Sequence, residues 1–101
     1  MKVEYLPEFG QALQELDKSE ILLVKKKIDQ LASSSKPLGL PLRGGLHGFY
    51  KLRCGKNARL RIVYLVKSQV CFLMGLGPRE KSQVYFDAQQ LASKLGLNFD
   101  K

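Results

Sequence analysis

Between Gln30 and Arg79 the chain has neither aspartate nor glutamate. Hard divalent cations need oxygen ligands, and a positively charged stretch repels them, so metal-dependent hydrolysis is not expected here. Histidine is as scarce. His47 is the only one, which excludes a two-histidine acid–base mechanism, and no Ser-His-Asp or Cys-His constellation can be assembled without it. It stands beside Gly48 at a strand entrance, where a structural or exposed role is expected. Cys54 and Cys71 lack CxxC or Cys/His spacing and read as reduced thiols. Long apolar runs are missing too: Val70 to Leu76 falls far short of the roughly 20 residues of a membrane helix. The segment MKVEYLPEF lacks the apolar core of a signal peptide. Gly75-x-Gly77 lacks the third glycine of a dinucleotide loop. A cytoplasmic protein is therefore expected, without membrane contact, metal or cofactor.

What the chain has is positive charge in one place. Lys36, Arg43, Lys51, Arg53, Lys56, Arg59, Arg61, Lys67 and Arg79 all fall in the stretch without carboxylates. The other eight of the 17 lysines and arginines stand against all nine carboxylates, so the whole +8 excess sits in this half. Such a one-sided field favours a polyanion, most simply a nucleic-acid backbone.

With 101 residues and 45% hydrophobic content, one domain spanning residues 1–101 with one core is expected. Met1 to Leu6 alternates and suits an edge strand. Pro7 fits a helix start, and Phe9, Ala12, Leu13 and Leu16 follow as one stripe. Asp17 and Glu20 make a D-x-x-E capping pattern for a second helix, whose buried positions are Ile21, Val24, Ile28 and Leu31. Lys25, Lys26 and Lys27 read as a solvated helix face in preference to a phosphate site. Ser33 to Gly45 is a loop broken by Pro37, Gly39 and Pro41.

Two strands follow, about His47 to Arg53 and Arg59 to Val66, joined by Gly55, Lys56 and Asn57. Alternation gives this hairpin a core face, with Tyr50, Leu52, Leu60, Ile62 and Tyr64, and a cationic face, with Phe49, Lys51, Arg53, Arg59, Arg61 and Val63. Val70 to Leu76, apolar on both faces, reads as a central strand ended by Gly77-Pro78. A third helix begins near Glu80, with Val84, Ala88, Leu91 and Leu95 buried. The fold class is α+β: an N-terminal helical hairpin packed on a small, mostly antiparallel four-stranded sheet, with a C-terminal helix.

Lys51, Arg53, Arg61, Arg79 and Tyr85 are the candidates for a shared concave surface, with Arg43, Lys56, Arg59 and Lys81 adding contacts to RNA. A basic face that only binds phosphates explains them as well. One reaction needs nothing beyond lysine, arginine and tyrosine. RNA brings its own nucleophile, the 2′-hydroxyl, next to the scissile phosphate. The protein then has to straighten the backbone, offset the charge of the phosphorane and assist two proton transfers. Arginine forks suit the phosphate. A lysine crowded by other cations gives up its proton more easily than an isolated one.

Four segments carry a family likeness: Leu42-Arg43-Gly44, Tyr50 to Arg53, Arg61 to Tyr64, and the terminus GPREKSQVY from Gly77 to Tyr85. With the helical hairpin before them they resemble the RelE toxins of bacterial and archaeal toxin–antitoxin modules, over nearly the whole chain. The terminus is the most specific; the others are shared with the wider RelE/ParE superfamily. The resemblance implies a RelE-like microbial ribonuclease fold and a ribosome-dependent mRNA endonuclease, acting on the codon in the A site without metal. It implies Lys51 as the base-like lysine, Arg61 on the phosphate, Arg79 on the transition state or leaving 5′-oxygen, and Tyr85 on the 2′-hydroxyl or stacked on a base. Arg53 stands where the family often has a second lysine, which keeps the charge and changes its shape. The implied partners are the ribosome, mRNA and a cognate antitoxin that is acidic or amphipathic. The other readings are a ParE-like inhibitor of DNA gyrase and a non-catalytic RNA-binding module.

Overall fold

The structure, a computed structural model, describes residues 1–42 and 48–78. The elements run β1 (Lys2–Tyr5), α1 (Pro7–Gln14), α2 (Lys18–Ser33), β2 (Leu40–Pro41), β3 (Phe49–Cys54), β4 (Leu60–Lys67) and β5 (Val70–Pro78). The expected third helix lies outside the described residues.

Both helices start where the residues ask them to. Leu6 is extended and Pro7 takes the first helical position, where its missing N–H is no loss. Phe9 and Leu13, four apart, are buried. Asp17 caps α2: its carboxylate accepts the Glu20 N–H at 2.9 Å and the Ser19 hydroxyl at 2.8 Å. The Glu20 N–H, and then Ser19, hold the Asp17 carboxyl below its usual range. Its folded-state value is depressed, so this cap stabilises the protein above the ordinary carboxylate range and is lost as the pH falls through that lowered value. Val24, Ile28 and Leu31 are buried and Ile21 is half-buried, on the expected stripe.

Among the described residues the sheet has five strands, not four, in the order β1-β5-β4-β3-β2. The additional strand is β2, inside the stretch expected to be loop. It pairs antiparallel with β3 through Leu40↔Lys51 and Pro41↔Tyr50. Two residues are too few to show a period, and proline is tolerated because β2 is an edge. β1 is the opposite edge, as expected, and lies parallel to β5, which makes the sheet mixed. β5 also runs on to Pro78, so Gly77-Pro78 does not end the strand: Gly77 pairs with Arg61 and Pro78 with Leu60.

α1, α2 and one sheet face enclose the main core, in which Ile62, Tyr64 and Leu73 are fully buried. The other face is not simply cationic. Phe49, Val63, Leu65 and Met74 form a second apolar cluster there. A register shift after Val63 leaves Met74 as the extra residue of β5, and its side chain joins that cluster. Tyr64 ties the loop to the sheet, donating its hydroxyl to the Leu38 carbonyl and stacking on Tyr50 with centroids 5.5 Å apart. Burial pushes its phenol well above the usual range, so it stays a donor.

Candidate functional site

Register places the basic residues. Phe49↔Leu65, Lys51↔Val63 and Arg53↔Arg61 are opposite pairs on β3 and β4, so all six side chains emerge on the face away from the helices. Apolar residues fill one end of that face, and Lys51, Arg53 and Arg61 occupy the other. Directly opposed side chains on antiparallel strands stand about 5 Å apart at Cβ, and like charges so placed repel. The Arg53↔Arg61 pair therefore concentrates positive charge at this end of the hairpin.

The three cations line a cavity of about 250 Å³ together with Gly39, Leu40, Leu52 and Lys27. It lies at the sheet edge, where β2 meets β3. β2 pairs with Tyr50 and Lys51 only, so the edge of β3 beyond Lys51 is not covered by β2. Gly39 approaches closest: at φ +86° its backbone lies so near β3 that a Cβ would stand 2.1 Å from the Lys51 carbonyl oxygen. Lys51 and Arg61 are half-buried and Arg53 is exposed. Among the described residues the ion pairs are Lys2–Glu4 and Arg59–Glu20, neither of which involves Lys51 or Arg53.

The other expected contacts divide. Arg59 does not join this face. It turns to α2, where its Nε lies 3.4 Å from a Glu20 carboxylate oxygen, while two-thirds of its side chain stays exposed. Lys56 is exposed in the tight turn of Lys56–Ala58, and its backbone N–H donates to Glu20 at 2.8 Å. Glu20 is thus not the reciprocal half of a capping box. It is 3% exposed and locks the β3–β4 turn onto the start of α2. Replacing Glu20 with alanine is expected to cost about 1–2 kcal/mol in urea unfolding, because the Lys56 N–H loses its acceptor, and Glu20→Gln about half as much. Arg43, Arg79, Lys81, Tyr85 and His47 lie outside the described residues.

Sequence reasoning missed Lys27. The run Lys25-Lys26-Lys27 reads as uniformly solvated, but only Lys25 and Lys26 are exposed, and Lys27 is half-buried against the cavity. Its position directly before buried Ile28 was the available signal. The thiols behave as expected of inert cysteines. Burial, with a smaller contribution from the nearby Glu20 charge, pushes Cys54 up to about 12, and burial raises Cys71. Among the described residues no three His, Cys, Asp or Glu side chains cluster as metal ligands, and no helix is long and apolar enough to cross a membrane.

No protein-family model and no curated protein matches the chain. Solved structures do. A free-state mutant of the E. coli toxin RelE is 24% identical and superposes with a TM-score of 0.74, over 89% of this chain and 95% of that one. The crystal structure of the isolated E. coli RelE toxin in its P21 form is also 24% identical, with a TM-score of 0.66 over 89% of this chain and 96% of that one. The basic end of the hairpin therefore stands on an α+β scaffold with the fold of the RelE toxin.

Proposed function

We propose that this protein is the toxin of a type II toxin–antitoxin module, a ribosome-dependent endoribonuclease that cuts mRNA in the A site. The observation that carries this reading is the meeting of Lys51, Arg53 and Arg61 at one end of one sheet face, in a RelE-like fold. The reaction uses the substrate's own 2′-hydroxyl. Its oxygen bonds to the adjacent phosphorus and gives its proton to Lys51 acting as base. Arg61 and Arg53 hold the non-bridging oxygens, whose charge grows in the phosphorane. The P–O5′ bond then breaks, and the 5′-oxygen takes a proton from water, leaving a 2′,3′-cyclic phosphate and a 5′-hydroxyl. Arg79 follows Pro78, which pairs with Leu60 beside Arg61, and is assigned to the phosphorane and the leaving oxygen. Tyr85 orients the 2′-hydroxyl or stacks on the base.

Ribosome dependence follows from the same site. A few cations on an open face bind a flexible strand weakly and do not align it for in-line attack, whereas the ribosome presents the codon already held. The antitoxin is an acidic or amphipathic partner that covers this face.

Induction in cells followed by primer-extension mapping tests the proposal. In-frame breaks confined to translated messages are the expected result. DNA-damage signals without such breaks would replace it with gyrase inhibition, and growth arrest with intact messages would leave a non-catalytic RNA binder.

A further inference from the structure

Two cavities on this protein share two cations. The one described above holds Lys51, Arg53, Arg61 and Lys27. The second, of about 360 Å³, lies between α2 and the β3–β4 turn and is lined by Lys26, Lys27, Gln30 and Arg53 beside Leu23 and Ala58. Lys27 and Arg53 are common to both, so the cavities are neighbouring parts of one groove. The groove passes the edge of β3 where β2 no longer pairs, from the sheet face to the helix side. Among the described residues its charged lining is positive throughout, and Gln30 adds an amide that both donates and accepts. Apolar Leu23, 38% exposed, offers a surface against which a base can pack.

We infer that this groove is a second subsite for single-stranded RNA, in which Lys27 binds a phosphate next to the one held by Lys51 and Arg61. The inference rests on the proposed function and adds to it: the strand does not end at the reacting phosphate but continues over the β3 edge towards α2. Lys27 is the hinge of that path, since it reaches both cavities from the last turn before buried Ile28. It is a binding and positioning residue with no part in the proton transfers. A single-stranded phosphate contact of this kind contributes a slope of about 0.7 to the dependence of log affinity on log salt concentration.

The test compares Lys27→Met with Lys25→Met, the latter at an exposed position that lines neither cavity. Both variants are assayed on ribosomes programmed with a short message, reading KM and kcat separately across salt concentrations, with thermal melting to verify folding. Lys27→Met is expected to raise KM about 5- to 10-fold, leave kcat within about 2-fold and flatten the salt slope by about 0.7, while Lys27→Arg restores most of the affinity. Lys25→Met is expected to match the parent protein. If the parent cleaves and Lys27→Met behaves as Lys25→Met does, the second subsite is wrong and the cleavage reading stands. If the parent neither binds nor cleaves programmed ribosomes, both fall. A Lys27→Met variant that loses kcat alone would also overturn the assignment, because it would place Lys27 in the chemistry.

Discussion

Arg61→Ala is expected to slow cleavage of ribosome-bound mRNA by about 10²- to 10³-fold, measured at a temperature where the variant is folded. The size follows from its task. A donor aimed at charge that develops only in the transition state contributes several kcal/mol to the barrier and much less to substrate binding. Arg61 sits on the interior strand β4, its backbone paired with Arg53 on one side and Gly77 on the other, so its Cα is held in place before substrate arrives. Arg61→Lys keeps the charge and loses the planar, two-pronged donor set, and most of the loss is expected to remain. Single-turnover cleavage kinetics on programmed ribosomes measure both variants. A fall in kcat with KM nearly constant is the expected split.

The second large effect falls on a residue with no side chain. Gly39→Ala is expected to lower the melting temperature by about 10–20 °C and to reduce cleavage more than that loss of stability explains. Two costs add. The backbone at φ +86° is a conformation that L-residues occupy with strain of about 1–2 kcal/mol. The new Cβ would also lie 2.1 Å from the carbonyl oxygen of Lys51, on a strand backbone that cannot move alone. Relief requires β2 and its loop to lift from β3, which displaces Lys51 and opens the cavity. About 2–4 kcal/mol in a domain of this size gives the stated shift. Calorimetry checks the stability. Cleavage measured at a temperature where the variant is folded checks the displacement of Lys51.

Much of this arrangement is readable from the chain because periodicity carries it. Val24, Ile28 and Leu31 repeat at helical spacing and are buried, and Lys51, Arg53 and Arg61 alternate with Leu52 and Ile62 and emerge opposite them. Where a feature depends on contacts distant in sequence, the pattern is silent. The pair Leu40-Pro41 forms a strand only because β3 lies alongside it. Glu20 has the spacing of a capping partner, but the turn 36 residues later offers it a better donor, and the carboxylate goes there. Arg59 follows it, although alternation assigns it to the opposite face, because the tight turn before β4 breaks the strand's period. Lys27 is a partial case: its place directly before buried Ile28 sets it at the border of the buried stripe, and the packing of α2 against the edge of β3 brings it to the groove.

The account depends most on Lys51, Arg53 and Arg61 acting on a phosphate that is attacked by its own 2′-hydroxyl. Chemical analysis of the RNA ends tests this most directly, on purified ribosomes halted with a defined codon in the A site and with free divalent cations reduced to the level the ribosome needs. A 5′-hydroxyl on one fragment and a 2′,3′-cyclic or 3′-phosphate on the other are predicted, vanishing with a 2′-deoxy substitution at the cut nucleotide. Fragments ending in a 3′-hydroxyl and 5′-phosphate, or cleavage that survives the 2′-deoxy substitution, would contradict it.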